Sequence, residues 1–167
     1  MEVGKKVRDI MIPLSEYPHV PYWLTVRQAM GVIRKICIKY KGVYYEPGTM
    51  LVFDQQYRLL GILQRRNLLS AIEPTLLKIC KGEEADNPES DPWNDIFNQY
   101  SQEDSQRPVS EVMTPIKVSV EPDDLIEKAI YLMVKHDVGL LPVMSGEKVE
   151  GVIRMTDVFI EVIETVL

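Results

Sequence analysis

The chain carries two copies of one strand-to-helix element, and this duplication limits its possible folds more than any other feature of the sequence. Residues 149–158 read Val-Glu-Gly-Val-Ile-Arg-Met-Thr-Asp-Val, and residues 59–68 read Leu-Leu-Gly-Ile-Leu-Gln-Arg-Arg-Asn-Leu, so Gly151 matches Gly61. The aliphatic residues around each glycine favour an extended, half-buried backbone. After the second copy, apolar residues recur at helical spacing to the end of the chain. Each copy therefore predicts a strand that turns at once into a helix.

A second pair of matching segments lies further back in each half. Residues 7–13 read Val-Arg-Asp-Ile-Met-Ile-Pro, and residues 109–115 read Val-Ser-Glu-Val-Met-Thr-Pro. The spacing between this segment and the glycine makes the first copy longer by about a dozen residues. We therefore expect a first domain at residues 1–80, an acidic linker with a short helix at 81–106, and a second domain at 107–167.

Composition excludes several classes of protein. With 46% hydrophobic and 26% charged residues, the chain resembles an ordinary soluble globular protein. Its net charge of −6 argues against general affinity for a nucleic-acid backbone. No apolar run approaches the roughly 20 residues that span a bilayer, and the N-terminus leads into no signal-peptide core. We expect a cytoplasmic protein without a membrane span or a nucleic-acid partner.

Catalytic and metal sites are not expected. Cys37 and Cys80 have no Cys/His cluster around them, which favours buried, reduced thiols over a disulfide or a metal site. The sequence has no Ser/His/Asp or Cys/His arrangement and no Gly-rich phosphate loop. Three linker carboxylates are expected to be solvated rather than to hold a divalent ion; they belong to Asp86, Glu89 and Asp91.

Each half is expected to form a helical turn followed by strand, helix, strand, strand and helix. Thr25 with Gln28, and Asp124 with Glu127, have the spacing of capping boxes at the start of a helix. Pro74 should kink or divide the helix that follows the first hairpin.

Three other segments carry weaker signals. Residues 42–48, with Tyr44 and Tyr45, are expected to form a loop, and residues 117–120 a short strand. In the linker, aromatic and apolar residues at helical spacing predict a short helix packed on another surface: Trp93, Ile96, Phe97 and Tyr100.

Together, these motifs resemble the CBS domain, named after cystathionine beta-synthase. The second half has Val-x-x-Val-Met-Thr-Pro at 109–115, a capped helix containing Ala129, Leu-Pro-Val at 141–143 and Gly-Val-Ile-x-x-x-Asp at 151–157. The first half has Met-Leu-Val-Phe at 50–53 in place of Leu-Pro-Val. The resemblance implies a stand-alone two-CBS-domain protein, or Bateman module. Its fold would be α/β (α+β), with tandem βαββα domains that each have a small mixed sheet and pair with pseudo-twofold symmetry.

The resemblance also implies a cleft that takes adenosine-containing ligands, namely AMP, ADP, ATP or S-adenosylmethionine. Asp157 occupies the position of an aspartate that accepts the ribose hydroxyls, and such charge-assisted bonds are worth about 1.5–3 kcal/mol each. Arg154 and Thr156 are placed to meet phosphates, because a helix start favours anions.

Other residues of the second half are expected to contact the base. Backbone groups of Ile116, Lys117 and Val118 would read the adenine edge, and apolar residues around Val138 and Pro142 would cover its faces.

The first half departs from the family pattern. Gln64 stands where the family often has Thr or Ser, as Arg154 does in the second half, and Asn67 replaces the ribose aspartate. We expect a weaker first site, or one in which Gln64, Arg65 and Arg66 contact phosphates lodged against the second half. The plainer alternative is that Asp157 is only a helix cap and Arg154 a surface charge.

These observations favour a non-catalytic regulatory module that senses an adenine nucleotide and passes its state to a separate effector protein. The apolar last helix suggests a homodimer contact; its apolar residues are Val158, Phe159, Val162, Ile163 and Val166. The alternative is a ligand-free dimerisation or docking scaffold. The sequence does not identify the nucleotide, the dimer orientation or the effector.

Overall fold

The computed structural model describes residues 4–82 and 103–167. Contacts divide the chain into two compact units. The first contains Met1–Pro18, Ile38–Tyr45 and Ile116–Leu167, and the second contains His19–Cys37 and Glu46–Pro115. The domain boundaries at residues 80 and 107 stay a prediction about the sequence repeats, because each unit combines segments from both repeats. The expected linker helix and the three linker carboxylates lie outside the described residues.

Both units mix helices with small sheets. The helices, numbered over the described residues, are α1 (Val7–Ile10), α2 (Val26–Lys35), α3 (Arg65–Ser70), α4 (Glu73–Cys80), α5 (Ile126–His136) and α6 (Met155–Val166). The strands are β1 (Ile12–Pro13), β2 (His19–Pro21), β3 (Ile38–Tyr40), β4 (Val43–Tyr45), β5 (Thr49–Phe53), β6 (Leu59–Gln64), β7 (Thr114–Pro115), β8 (Leu140–Ser145) and β9 (Lys148–Arg154). No helix within the described ranges has the length and apolar character needed to cross a membrane.

The first unit is built on a three-stranded antiparallel sheet in the order β1, β9, β8. Val120 adds a parallel bridge to Val143. Helices α5 and α6 contact β8 and β9 respectively, and burying their apolar stripes is the main driving force for this packing. The core also takes two residues of α1; its buried members are Val7, Ile10, Val120, Ala129, Met133, Leu141, Val143, Ile153 and Val158.

The second unit is built on a mixed sheet in the order β2, β5, β6, β7, in which β2 runs parallel to β5. Thr25 begins α2 with the predicted capping box: its hydroxyl accepts from the Gln28 amide at 3.1 Å, and Gln28 Oε1 accepts from the Thr25 amide at 3.0 Å. Pro74 divides the following helix into α3 and α4, as predicted. The buried core comprises Val20, Val26, Ala29, Met50, Val52, Leu63, Leu68, Ala71 and Val109.

The two matching glycines lie where a short third strand crosses close to the hairpin. Gly151 pairs with Pro13, and a Cβ atom there would overlap the carbonyl oxygen of Ile12. Gly61 pairs with Pro115 in the same way, with the added Cβ 2.7 Å from the Thr114 oxygen. Only glycine permits this backbone approach, which explains why both repeats have it.

The segment expected to be a loop at residues 42–48 instead contributes half of a hairpin. Strands β3 and β4 pair antiparallel across Lys41 and Gly42, which both have positive φ, 48° and 79°. Two positive-φ residues suit a tight two-residue turn, and the flanking residues are β-branched or aromatic, which favours strands. This hairpin, residues 38–45, belongs to the first unit although the chain on both sides belongs to the second.

Two predictions about local structure in the second repeat were wrong. Residues 117–120 form no strand beyond the bridge at Val120. The N-cap of α5 is Leu125 rather than Asp124. The Asp124 carboxylate instead accepts from the Glu121 amide at 2.8 Å and pairs with Lys128, because the chain makes a turn before the helix begins.

The cysteines are also not buried. Cys37 and Cys80 are both free and exposed. Cys37 lies just after α2 and Cys80 is the last residue of α4, so both lie at helix ends rather than on a core-facing stripe.

Candidate functional site

Arg154 and Asp157 form a buried ion pair where β9 turns into α6. Arg154 ends the strand and Asp157 lies in the first turn of the helix. Arg154 Nε donates to Asp157 Oδ2 at 2.8 Å and Arg154 Nη2 donates to Oδ1 at 2.7 Å. Their side chains are 13% and 7% exposed. This two-pronged geometry is the strongest arrangement for an arginine and a carboxylate, so each carboxylate oxygen already has a cationic donor.

The plainer interpretation of these two residues was wrong. The α6 N-terminus has no side-chain capping hydrogen bond, so Asp157 is not a helix cap. Arg154 is mostly buried and is not a surface charge.

Two tyrosines of the first unit flank the ion pair. The Arg154 guanidinium carbon lies 4.7 Å from the centroid of the Tyr45 ring, within the range of a cation–π contact. Tyr17 is 4% exposed. Burial raises the pKa of Tyr17 above its ordinary value, the positive charge of Arg154 opposes that rise, and Asp157 adds to it. Tyr17 is therefore a neutral phenol at physiological pH.

The electrostatics keep Arg154 charged. Burial acts to lower its pKa, but the hydrogen bonds and negative charge of Asp157 outweigh burial, and the pKa of Arg154 lies above its ordinary value. The site thus holds a permanent cation against an aromatic face and a carboxylate.

A cavity of about 320 Å³ opens beside this pair. Asp157 and Tyr45 line it together with charged and aliphatic side chains: Lys5, Ile10, Lys41, Ile160, Glu161 and Glu164. Lys5 forms an ion pair with Glu161. The volume is at the lower end of the range for small-molecule sites. The described parts of the chain contain no group of three His, Cys, Asp or Glu side chains suited to a metal ion.

The other expected residues of the second repeat do not line this cavity. Thr156 and Lys117 are exposed and Ile116 is half-buried. Val118 and Val138 pack against the core of the first unit.

Pro142 is buried within β8, and its carbonyl accepts from the Val120 amide at 3.0 Å.

The structure thus brings together Arg154 and Asp157 from the predicted set and adds three residues that sequence reasoning missed: Tyr17, Tyr45 and Lys41. The longer connection in the first repeat was the one signal for the last two.

In the second unit, Asn67 is committed to local structure. Its Oδ1 accepts from the Gln64 amide at 2.7 Å and its Nδ2 donates to Thr114 Oγ1 at 3.1 Å. Arg66 is exposed and Gln64 half-buried. Arg65 pairs with Glu46 at 3.2 Å. The position equivalent to Asp157 therefore holds the start of α3 in place.

Comparison with known proteins gives a family match for the second repeat and a fold match for nearly the whole chain. Residues 109–164 match the model of the CBS domain. The whole chain is similar in structure to AcuB, a protein assigned to acetoin utilization, from Vibrio cholerae, with 21% identity, a TM-score of 0.66, and coverage of 98% of this chain and 93% of that one.

Two further solved structures contain nucleotides. CBSX2 in complex with AMP shares 20% identity at a TM-score of 0.64, over 97% of this chain and 98% of that one. The CBS domain of a bacterial CNNM/CorC family Mg²⁺ transporter in complex with ATP shares 15% identity at a TM-score of 0.67, over 95% and 87%. At these identities the likeness establishes the fold. Residues 109–164 thus match the CBS domain, and nearly the whole chain has the fold of tandem CBS structures.

Proposed function

We propose that this chain is a non-catalytic regulatory module that binds an adenine nucleotide beside Asp157 and passes the bound state to a separate protein. The observation that carries the proposal is the buried carboxylate in the first turn of α6, next to a cavity of about 320 Å³. AMP and ATP are present in two structures of the same fold, which supports an adenine nucleotide as the ligand class.

The chemistry of the site fits such a ligand. The two oxygens of Asp157 suit the two neighbouring hydroxyls of a ribose, and Arg154 suits a phosphate. The same position in the second unit is an asparagine engaged with the Gln64 amide and Thr114. We therefore assign binding to the second repeat.

Calorimetric titration and thermal shift with AMP, ADP, ATP and S-adenosylmethionine test the proposal. A ligand at 100 times its Kd stabilises the fold by about 2.7 kcal/mol, which corresponds to a rise in Tm of about 5–10 °C for a chain of this size. Asp157→Asn should weaken binding at least about tenfold, because a charge-assisted bond is worth at least about 1.5 kcal/mol. Asn67→Ala is the matched control at the equivalent position and should bind as wild type does.

The alternative function is a ligand-free scaffold. It is favoured by the ion pair of Asp157, since both carboxylate oxygens already accept from Arg154. Absence of binding and of any Tm shift with all four ligands would refute the nucleotide proposal and support the scaffold.

We also propose that the chain forms a homodimer through the faces of α5 and α6. An apolar groove between these helices is lined by Ile130, Met133, Val134, Met155, Val158, Phe159 and Val162. Phe159 is 61% exposed and Val134 72% exposed. Apolar side chains this exposed and this close together are typical of a protein interface.

Sedimentation equilibrium tests the dimer. Phe159→Asp should shift the mass to that of a monomer, whereas Leu69→Asp, at an equally exposed position on α3, should leave the dimer intact. A monomeric wild-type protein would refute the proposal.

Affinity capture with and without ATP would identify an effector that responds to the ligand.

A further inference from the structure

We infer that the hairpin at residues 38–45 is a strap that closes over the Arg154–Asp157 pair and is released when a nucleotide takes these side chains. This inference rests on the proposed function and adds its regulation: the strap competes with the ligand, and its release is the structural signal.

The hairpin reaches the site with residues at its end and its turn. Tyr45 lies against the Arg154 guanidinium, and Lys41 lines the same cavity as Asp157. Ile38, at the start of β3, is 3% exposed. The strap therefore covers the residues to which the ligand is assigned.

Much of the outer surface of the strap is exposed. Strands β3 and β4 form a sheet of two strands. Val43 is 51% exposed and Tyr44 66% exposed. A two-stranded hairpin is marginally stable in water, and segments with few buried contacts open at low cost in free energy. Detaching Tyr45 therefore does not require the first unit to unfold.

Ligand binding and strap closure need the same side chains. Each oxygen of Asp157 accepts one hydrogen bond from Arg154, and a ribose diol that donates to the same oxygens weakens this ion pair because it shares the carboxylate. A phosphate that accepts from Arg154 competes with Asp157 and the Tyr45 ring for the guanidinium. A guanidinium that turns to the phosphate leaves the Tyr45 ring without its cation. Because the closed form binds poorly, its population lowers the apparent affinity for nucleotide.

Calorimetric titration of ATP and AMP into three variants tests the strap. Tyr45→Ala should bind about two- to thirtyfold more tightly than wild type, the range that corresponds to a cation–π contact. Tyr45→Phe keeps the ring and should bind as wild type does. Tyr44→Ala is the matched control, because Tyr44 makes a similar contact with Lys39, 5.6 Å from its ring, within the same hairpin and away from Arg154.

Amide hydrogen exchange of the wild-type protein provides the second measurement. Residues 38–45 should exchange faster when nucleotide is bound. Unchanged or weaker binding by Tyr45→Ala, or slower exchange of the hairpin with nucleotide, would overturn the strap while leaving nucleotide binding in place. Absence of binding by wild type and all three variants would instead refute the proposed function, and the strap with it.

Discussion

Replacing either Arg154 or Asp157 with an apolar residue is expected to destabilise the fold strongly, and replacing both is expected to cost much less. The side chains are 13% and 7% exposed and share two hydrogen bonds. Removing one partner leaves the other charge buried, and breaking such a pair costs about 3–5 kcal/mol. For a chain of this length, 1 kcal/mol changes Tm by about 2–4 °C. Each single variant should therefore lose about 6–20 °C.

The two single variants should lose different amounts of stability. Arg154→Met leaves Asp157 at a helix N-terminus, where a negative charge is stabilised by about 0.3–1 kcal/mol. Asp157→Leu leaves a buried guanidinium beside the two tyrosines, with no carboxylate described in contact with it. The larger loss is therefore expected for Asp157→Leu.

Urea denaturation at pH 7 of wild type, both single variants and the double variant gives the coupling free energy. Apolar replacement of a whole buried pair is often neutral or stabilising, so the double variant should be at least about 2 kcal/mol more stable than the sum of the single losses predicts. Additive losses, or single losses below about 1 kcal/mol, would refute this reasoning, because they would mean that water reaches both charges in solution.

Three more predictions concern the scaffold. Gly151→Ala should lower the unfolding free energy by about 1–3 kcal/mol or more, since the added Cβ overlaps the Ile12 carbonyl. Gly31→Ala, in α2 with open space around it, should raise the unfolding free energy by about 0.5–1 kcal/mol. Equal effects of the two variants in urea titrations would contradict this. Thr25→Ala should cost about 1 kcal/mol through loss of the cap, measured in the same way; an unchanged midpoint would argue against the capping box. Hydrogen bonds from Arg58 lower the pKa of Asp54 despite some desolvation. Its stabilising effect is complete above the unfolded carboxyl pKa of about 3.9 and is lost as pH falls through the lower folded value, so the Tm difference between wild type and Asp54→Asn should disappear at low pH, and a difference that persists there would count against it.

Features governed by neighbouring residues could be predicted from the sequence. The capping box of Thr25, the division at Pro74 and both long hairpins follow from spacing and local backbone preference. The repeated glycine revealed the strand-to-helix element, although its close approach to another strand appears only in the structure.

Features set by distant contacts could not be predicted, nor could those in which two local arrangements compete. Nothing local to Arg154 indicates that Tyr45 packs on it, because the two residues are far apart in sequence. Asp124 had the spacing of a cap, but the preceding turn uses its carboxylate. The environment of Cys80 likewise depends on where α4 ends.

The short strands β1 and β7 have a consequence for how this protein can be truncated. Strand β1 from the beginning of the chain completes the sheet of the first unit, and β7 from the start of the second repeat completes the other. Val7, Ile10 and Ile12 are likewise buried in or beside the core that holds the last helix. Expressing residues 109–164 alone would remove those side chains and uncover an edge of β9. The unit of folding is therefore the pair of repeats together rather than the single repeat.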